Sequence, residues 1–264
     1  MLLKKGQWEY KLFNNLYTQT KSFSKGVKAD KGNRQNYFSS IHQFLYGIRP
    51  DLNIGFDIWF KSVHVQANPK DNPLGTFRFN HENSDYTITG IGPKIKIAPF
   101  NKIKRLSIQT TLLFPLRKDL ENSGSNKAFL EFDRDALWIT QIFFDKPIGN
   151  DFQLFFQLAP WYTFSRNSIR EKNFIQTPTS VFFSWFANDR LTFYLQNEYW
   201  PTHYNSSEQS FEAFYSWFNQ SGLGIKYQLI PGFLEIESLY SNFWLGSNGE
   251  GAGETYNLGL RIIN

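Results

Sequence analysis

Strict alternation of apolar and polar residues constrains this chain more than any other feature. Leu52, Ile54, Phe56, Ile58 and Phe60 recur at every second position, separated by Asn53, Gly55, Asp57, Trp59 and Lys61. Phe152, Leu154, Phe156 and Leu158 repeat the pattern, as do Leu191, Phe193 and Leu195, and near the end Tyr256, Leu258, Leu260 and Ile262. Successive side chains of an extended backbone point to opposite faces, so period two over this length means strands with one apolar face. No segment sustains a 3.6-residue period, and essentially no helix is expected.

The pattern predicts strands near residues 7–21, 36–47, 52–66, 85–99, 103–116, 129–145, 152–164, 174–186, 191–204, 211–227, 233–244 and 254–264. Short links fall at 48–51, 101–102, 146–151, 187–190 and 228–232. Longer polar links fall at 22–35, 67–84, 117–128, 165–173, 205–210 and 245–253. A soluble sandwich has no reason for this long–short rhythm, and its strands run nearer 5–6 residues. A transmembrane barrel has one, with short periplasmic turns and longer extracellular loops. The expectation is an all-β, antiparallel up-and-down transmembrane β-barrel of about twelve strands, with residues 1–264 as one domain and both termini periplasmic. Pro93, Pro115, Pro160, Pro178 and Pro201 fall inside or at the ends of these strands. Lacking a ladder donor, they belong at rims or bulges. Glu131, Asp133 and Asp135 share the parity of Leu137 and Ile139, which predicts a bulge or an acidic extension above the membrane.

Composition agrees. Phe, Tyr and Trp make up 19% of the chain, with aromatics interleaved among Asn, Gln, Ser, Lys and Glu, while mean hydropathy is −0.44. Aromatic girdles around a polar interior produce that mixture. No stretch approaches the roughly 20 apolar residues of a membrane-crossing helix. The net charge of +5 is scattered among acidic residues of the same strands rather than gathered in a stripe, which argues against nucleic acid as a partner. With no cysteine there is no disulfide framework, thiolate metal site or cysteine nucleophile. The first residues are too short for a secretory hydrophobic region, so a removed signal or a non-native start at Met1 is expected.

Four segments carry a resemblance. Residues 90–100 (GIGPKIKIAPF) and 222–229 (GLGIKYQL) resemble uncharacterised outer-membrane β-barrels of Bacteroidota. The hairpin at 46–55 (YGIRPDLNIG) is similar to one in the broad porin-like group linked to metabolic-pathway transporters. Residues 253–264 (GETYNLGLRIIN) resemble the closing strand of such proteins, although this chain ends in Asn264 after Ile263 rather than in an aromatic residue. The resemblance implies a porin-like barrel in the bacterial outer membrane and supplies no catalytic residues.

An enzyme of this architecture would need a histidine base beside a serine at the membrane-facing surface. The histidines are His42, His64, His81 and His203. Ser40 shares the parity of His42 and could neighbour it, but no strand-borne pairing suited to a lipase stands out, and the histidines read as polar lumen and loop residues. No catalytic residue, cofactor or metal site is expected. The carboxylate row of Glu131, Asp133 and Asp135 would need oxygens from another loop to complete the 6–8 that calcium takes, and reads as an acidic rim. The glycine-rich 248–254 lacks the lysine and helix of a phosphate loop.

Function is therefore sought in the lumen. With the apolar parity facing lipid, the predicted lumen-lining set is Glu9, Lys11, His42, Asp57, Trp59, Lys61, Lys94, Lys96, Glu198, Lys226, Glu235, Glu237 and Arg261. Closure of the barrel would bring Lys226, Glu235, Glu237, Arg261, Glu9 and Lys11 side by side. Inward Trp59, Phe155, Trp161, Tyr194 and Trp200 would narrow the passage or offer stacking platforms. About 8 strands pack solid and 16–18 leave a channel, so twelve leaves two readings open. One is porin-like passage of small polar solutes; the other is a non-conducting structural or accessory subunit of an envelope complex for transport, secretion or assembly. Expected partners are outer-membrane lipid and, for the second reading, other outer-membrane or periplasmic proteins. Residues 211–218 (FEAFYSWF), aromatic on both parities, are the candidate contact strip, against the ordinary reading of an interfacial girdle.

Overall fold

The computed structural model describes residues 2–78, 83–100, 103, 105–116, 136–164, 174–205 and 211–264, with side chains omitted at 174, 204–205 and 211–214. The acidic row at 131–135 and His81 lie outside the described residues. The strands are β1 (Trp8–Ser24), β2 (Val27–Arg49), β3 (Leu52–Gln66), β4 (Ser84–Ile97), β5 (Leu106–Pro115), β6 (Ala136–Ile148) and β7 (Phe152–Leu158). They continue as β8 (Trp161–Phe164), β9 (Phe174–Gln176), β10 (Thr179–Phe186), β11 (Leu191–Asn205), β12 (Phe211–Ile230), β13 (Leu234–Gly246) and β14 (Glu254–Ile263).

These fourteen segments make twelve staves. β7 and β8 both pair with β6, and β9 and β10 both pair with β11. Each is one stave broken at a proline, Pro160 or Pro178. The two breaks face each other, and Pro178 O accepts from Ala159 N at 2.8 Å while Pro201 O accepts from Thr177 N at 3.1 Å. The prolines keep their acceptors in the ladder and give up only donors. Pro93 also marks an irregularity, because the β4–β5 ladder is interrupted between Ile91 and Lys94. Every stave is antiparallel to its neighbours, and β1 pairs with β14 from Glu9↔Ile263 to Thr18↔Glu254, closing the cylinder.

Two connections differ from the sequence-based expectation. Residues 22–35 are not a loop. β1 and β2 run on as a ribbon to a two-residue turn in which Lys25 and Gly26 both have positive φ, 50° and 81°. That turn matches the twist of paired strands, and polar residues do not prevent strand pairing where a ribbon projects into water. The link at 67–84 contains a 3-10 turn, Pro73–Phe77, capped by the Asn72 side chain on Leu74 N. It folds back on the outside of β2 and β3, where Ser62 and Thr76 exchange hydrogen bonds, Ser62 Oγ to Thr76 O at 2.7 Å and Thr76 Oγ1 to Ser62 O at 3.2 Å. Phe77 packs edge-on against Phe38.

The two faces of the wall separate by parity. Ile54, Phe56, Ile95, Leu195, Leu223 and Leu258 are exposed on one face, whereas Asn53, Asp57, Lys94, Gln109, Ser180 and Asn257 are buried on the other. Polar side chains buried inside a closed cylinder with an apolar exterior form the pattern of a wall that meets hydrocarbon. The short turns and both chain ends share one rim, where Trp8 and Asn264 exchange backbone hydrogen bonds.

Candidate functional site: the barrel lumen

Near the rim of the short turns, the inner face is charged on one side. Glu9 accepts from Arg261 Nε at 2.7 Å and pairs with Lys11 at 3.1 Å. Register puts Arg261 opposite Lys11 on β1 and opposite Glu235 on β13. Lys226 pairs with Glu237 at 3.3 Å, and Glu237 also accepts from the Tyr194 hydroxyl. On the far side of β1, Asp57 and Lys94 form an ion pair at 2.5 Å, and Thr111 donates to Asp57 at 3.4 Å.

The remaining wall at this level is aromatic. Phe143 stacks on Phe155 with centroids 5.8 Å apart, Phe155 meets Phe182 at 5.5 Å, and Phe182 meets Tyr194 at 6.0 Å. Cations flank both ends of this arc, Lys96 5.3 Å from the Phe143 centroid and Lys226 5.2 Å from that of Tyr194. Such contacts attract a cation to the ring face. Tyr194 can lie inward because its neighbour on β12 is Gly224; a β-carbon there would run into the Tyr194 ring. Glu198, just beyond the arc, accepts from Ser180 at 3.1 Å and Gln220 at 2.5 Å.

Further from this rim the inward side chains join into a collar. Trp59 on β3 and Trp161 on β8 are separated by three staves, yet their rings lie 6.1 Å apart across the interior. The chain of contacts continues from Trp161 to Trp200 (5.0 Å), Phe218 (5.6 Å), Phe243 (4.6 Å) and Tyr17 (5.0 Å). Tyr17 then meets Tyr37 at 5.8 Å, and Tyr37 packs on Val63 of β3, which returns the collar to its starting strand. Leu113, Leu137 and Ile139 back Trp59. The indole nitrogens of Trp59 and Trp161 are buried without a hydrogen-bond acceptor among the described residues.

The interior is unevenly filled. Side chains of Asp57 and Lys94 are 3% and 1% exposed, whereas those of Lys11, Arg261 and Lys226 retain 37%, 36% and 36%. The β3–β6 side is packed at this level, whereas Lys11, Arg261 and Lys226 on β1, β14 and β12 stay partly exposed near the rim of the short turns.

Of the thirteen residues singled out in the sequence, twelve carry the inward parity, with Lys61 5.4 Å from the Trp59 ring. His42 does not. Glu9 and Lys11 face Leu45 and Gln43 across the β1–β2 ladder, which puts odd positions of β2 inside and His42 on the lipid-facing side. The strand between 36 and 47 carries apolar residues on both parities, so its phase is set by its neighbours rather than by its own pattern. Tyr17, Tyr37, Phe218 and Phe243 were not singled out as lining residues; their parity, once the strand register is known, is the signal that finds them.

No family model matches the chain, and no curated protein matches it. Solved structures do. An outer membrane channel from Pseudomonas putida F1 superposes with a TM-score of 0.73 at 8% identity, covering 100% of this chain and 97% of that one. The β domain of the Bordetella autotransporter BrkA gives 0.60 at 11% identity, covering 98% and 99%. The translocator domain of the autotransporter NalP from Neisseria meningitidis gives 0.50 at 8%, covering 98% and 89%. At these identities the likeness concerns the fold. The fold is that of an outer-membrane β-barrel: closed, antiparallel and twelve-staved, of the kind found in outer-membrane channels and translocator domains.

Proposed function

We propose that this protein is a single-domain barrel of the bacterial outer membrane, porin-like, that passes small polar solutes bearing a ring or other flat apolar face. The rim of short turns and both termini face the periplasm, and the long connections face outward. The observation that carries the reading is the layered lumen: an aromatic collar above a tier whose wall is charged on one side and aromatic on the other. A fully hydrated solute meets the collar as a barrier. One with a stackable face exchanges water for ring contacts there. Below, the partly exposed Lys11, Arg261 and Lys226 alternate with Glu9, Glu235 and Glu237, so neither sign of charge is excluded. Likeness to a protein described as an outer membrane channel supports this reading.

The packed β3–β6 side favours a second reading, a non-conducting subunit of an envelope assembly. Planar-bilayer recording and liposome swelling with pure refolded protein separate the two. A channel gives small single-channel currents, and swelling is faster with phenyl glycosides than with unsubstituted sugars of similar size. Replacing Trp59 and Trp161 by Ala should enlarge the current and abolish that preference. Silent bilayers, together with stoichiometric partners on native purification, would overturn the channel.

A further inference from the structure

The wall of β1 and β2 interrupts its apolar exterior with four polar side chains in mutual contact. Tyr10, Asn14, Ser40 and His42 all stand on the lipid-facing parity. His42 is flanked in register by Leu12 and Ile58, and Ser40 by Asn14 and Phe60, so the cluster lies within the apolar band. Ser40 Oγ is 3.3 Å from His42 Nε2 and donates to Asn14 Oδ1 at 2.8 Å. The Tyr10 hydroxyl is 2.8 Å from His42 Nδ1, and Asn14 Nδ2 donates to Leu258 O at 3.3 Å. Ser40 forms the floor of a notch at 8% exposure, with the other three half-buried around it.

Polar groups facing hydrocarbon are costly, and aliphatic residues would complete this wall at lower cost. A serine within reach of a histidine whose second nitrogen is held by a third group is the arrangement that activates a hydroxyl as a nucleophile. An apolar groove of about 400 Å³ opens on the same face, lined by Phe44, Tyr46, Ile54, Phe56, Pro93 and Ile95. Phe44 follows His42 on the same parity, so the groove runs on from the notch along the strands, where an acyl chain would lie.

We propose that Ser40 and His42 form a nucleophile–base pair that hydrolyses acyl esters of lipids in the surrounding membrane. With Nδ1 protonated and donating to Tyr10 Oη, the Nε2 lone pair receives the Ser40 hydroxyl once that hydroxyl turns from Asn14 Oδ1 to His42. Ser40 Oγ attacks the ester carbonyl carbon and its proton passes to Nε2. The alkyl C–O bond to carbonyl carbon breaks, and the leaving alkoxide takes that proton as the lysolipid alcohol. A water molecule from the membrane surface then gives a proton to Nε2 and adds its hydroxyl to the acyl carbon. The Ser40 ester bond breaks, Oγ recovers the proton, and a fatty acid departs, so one ester and one water become one alcohol and one acid. Tyr10 is a positioning residue. The site is on the outside of the wall and is independent of the lumen.

The test uses the full chain refolded into phosphatidylcholine vesicles, with folding read from heat-modifiable gel mobility. A fluorophosphonate probe should attach to wild-type protein, peptide mass spectrometry should place the adduct on Ser40, and the vesicles should release fatty acid. Ser40→Ala should abolish both signals, His42→Ala should reduce them at least 100-fold, and Tyr10→Phe should lower kcat about tenfold with KM unchanged. Adduct mapping on folded wild type needs no variant to fold. Absence of an adduct at Ser40, or fatty-acid release no greater than from protein-free vesicles, would overturn the proposal and leave four polar groups that merely satisfy one another.

Discussion

Glu237 shows how one lumen residue serves two partners. It accepts from the Tyr194 hydroxyl and pairs with Lys226 at 3.3 Å, and Lys226 in turn sits over the Tyr194 ring. Glu237→Lys replaces two attractions with a repulsion against Lys226 and strands the tyrosine hydroxyl. The side chains of Lys226 and Glu237 keep 36% and 27% of their surface, so water screens part of the loss. The expected destabilisation is about 2 kcal/mol in urea unfolding from vesicles, most of it from the buried hydroxyl and like-charge contact. Current through the variant should shift toward anions. A variant as stable as wild type, with unchanged ion preference, would mean that Glu237 does not face the passage.

Among the elements, the connection between β3 and β4 behaves as a folded strap rather than a tether. Thr76 is fully buried and exchanges two hydrogen bonds with Ser62, while a β-carbon at Gly75 would meet the Gln66 and His64 side chains. The strap covers polar side chains on the outer face of β2 and β3, including Asn36, whose amide donates to Gln66 Oε1 at 2.8 Å. Thr76→Val removes the hydroxyl donor and keeps the shape. Cleavage by trypsin at Lys70 should then speed up several-fold while the barrel keeps its heat-modifiable mobility, as expected when local opening is separate from global unfolding. Equal cleavage rates would show that the strap is held by its apolar contacts, chiefly Phe77 on Phe38.

For the whole molecule, closure from β1 to β14 leaves no free sheet edge among the described strands, and the apolar exterior requires an amphiphile. The refolded chain should therefore stay compact in detergent-containing gels without boiling and migrate differently after boiling. Its far-ultraviolet circular dichroism should be that of β-structure. A monodisperse detergent-free monomer with substantial helical dichroism would contradict the architecture itself. The two layers of the lumen also belong to this scale, because the aromatic collar exists only when β3, β8, β11, β12, β13, β1 and β2 are brought into one ring.

Period-two alternation is a local property, so the chain alone determined where most staves run and which side of them meets lipid. Asp57, Lys94 and Arg261 could be assigned to the interior because each sits between clear apolar neighbours on the opposite parity. The ribbon at 22–35 escaped that reading because polar residues beyond the membrane carry no alternation. The phase of β2 escaped it for a different reason: Tyr37, Phe38, Ile41, Phe44 and Leu45 occupy both parities, and only hydrogen-bond register with β1 and β3 decides between them. That decision moved His42 from lumen to outer wall and set it beside Ser40 and Tyr10. Trp59 and Trp161 are likewise far apart in sequence and on staves that do not touch. No pattern within either strand encodes their meeting; the circumference of a twelve-staved barrel does.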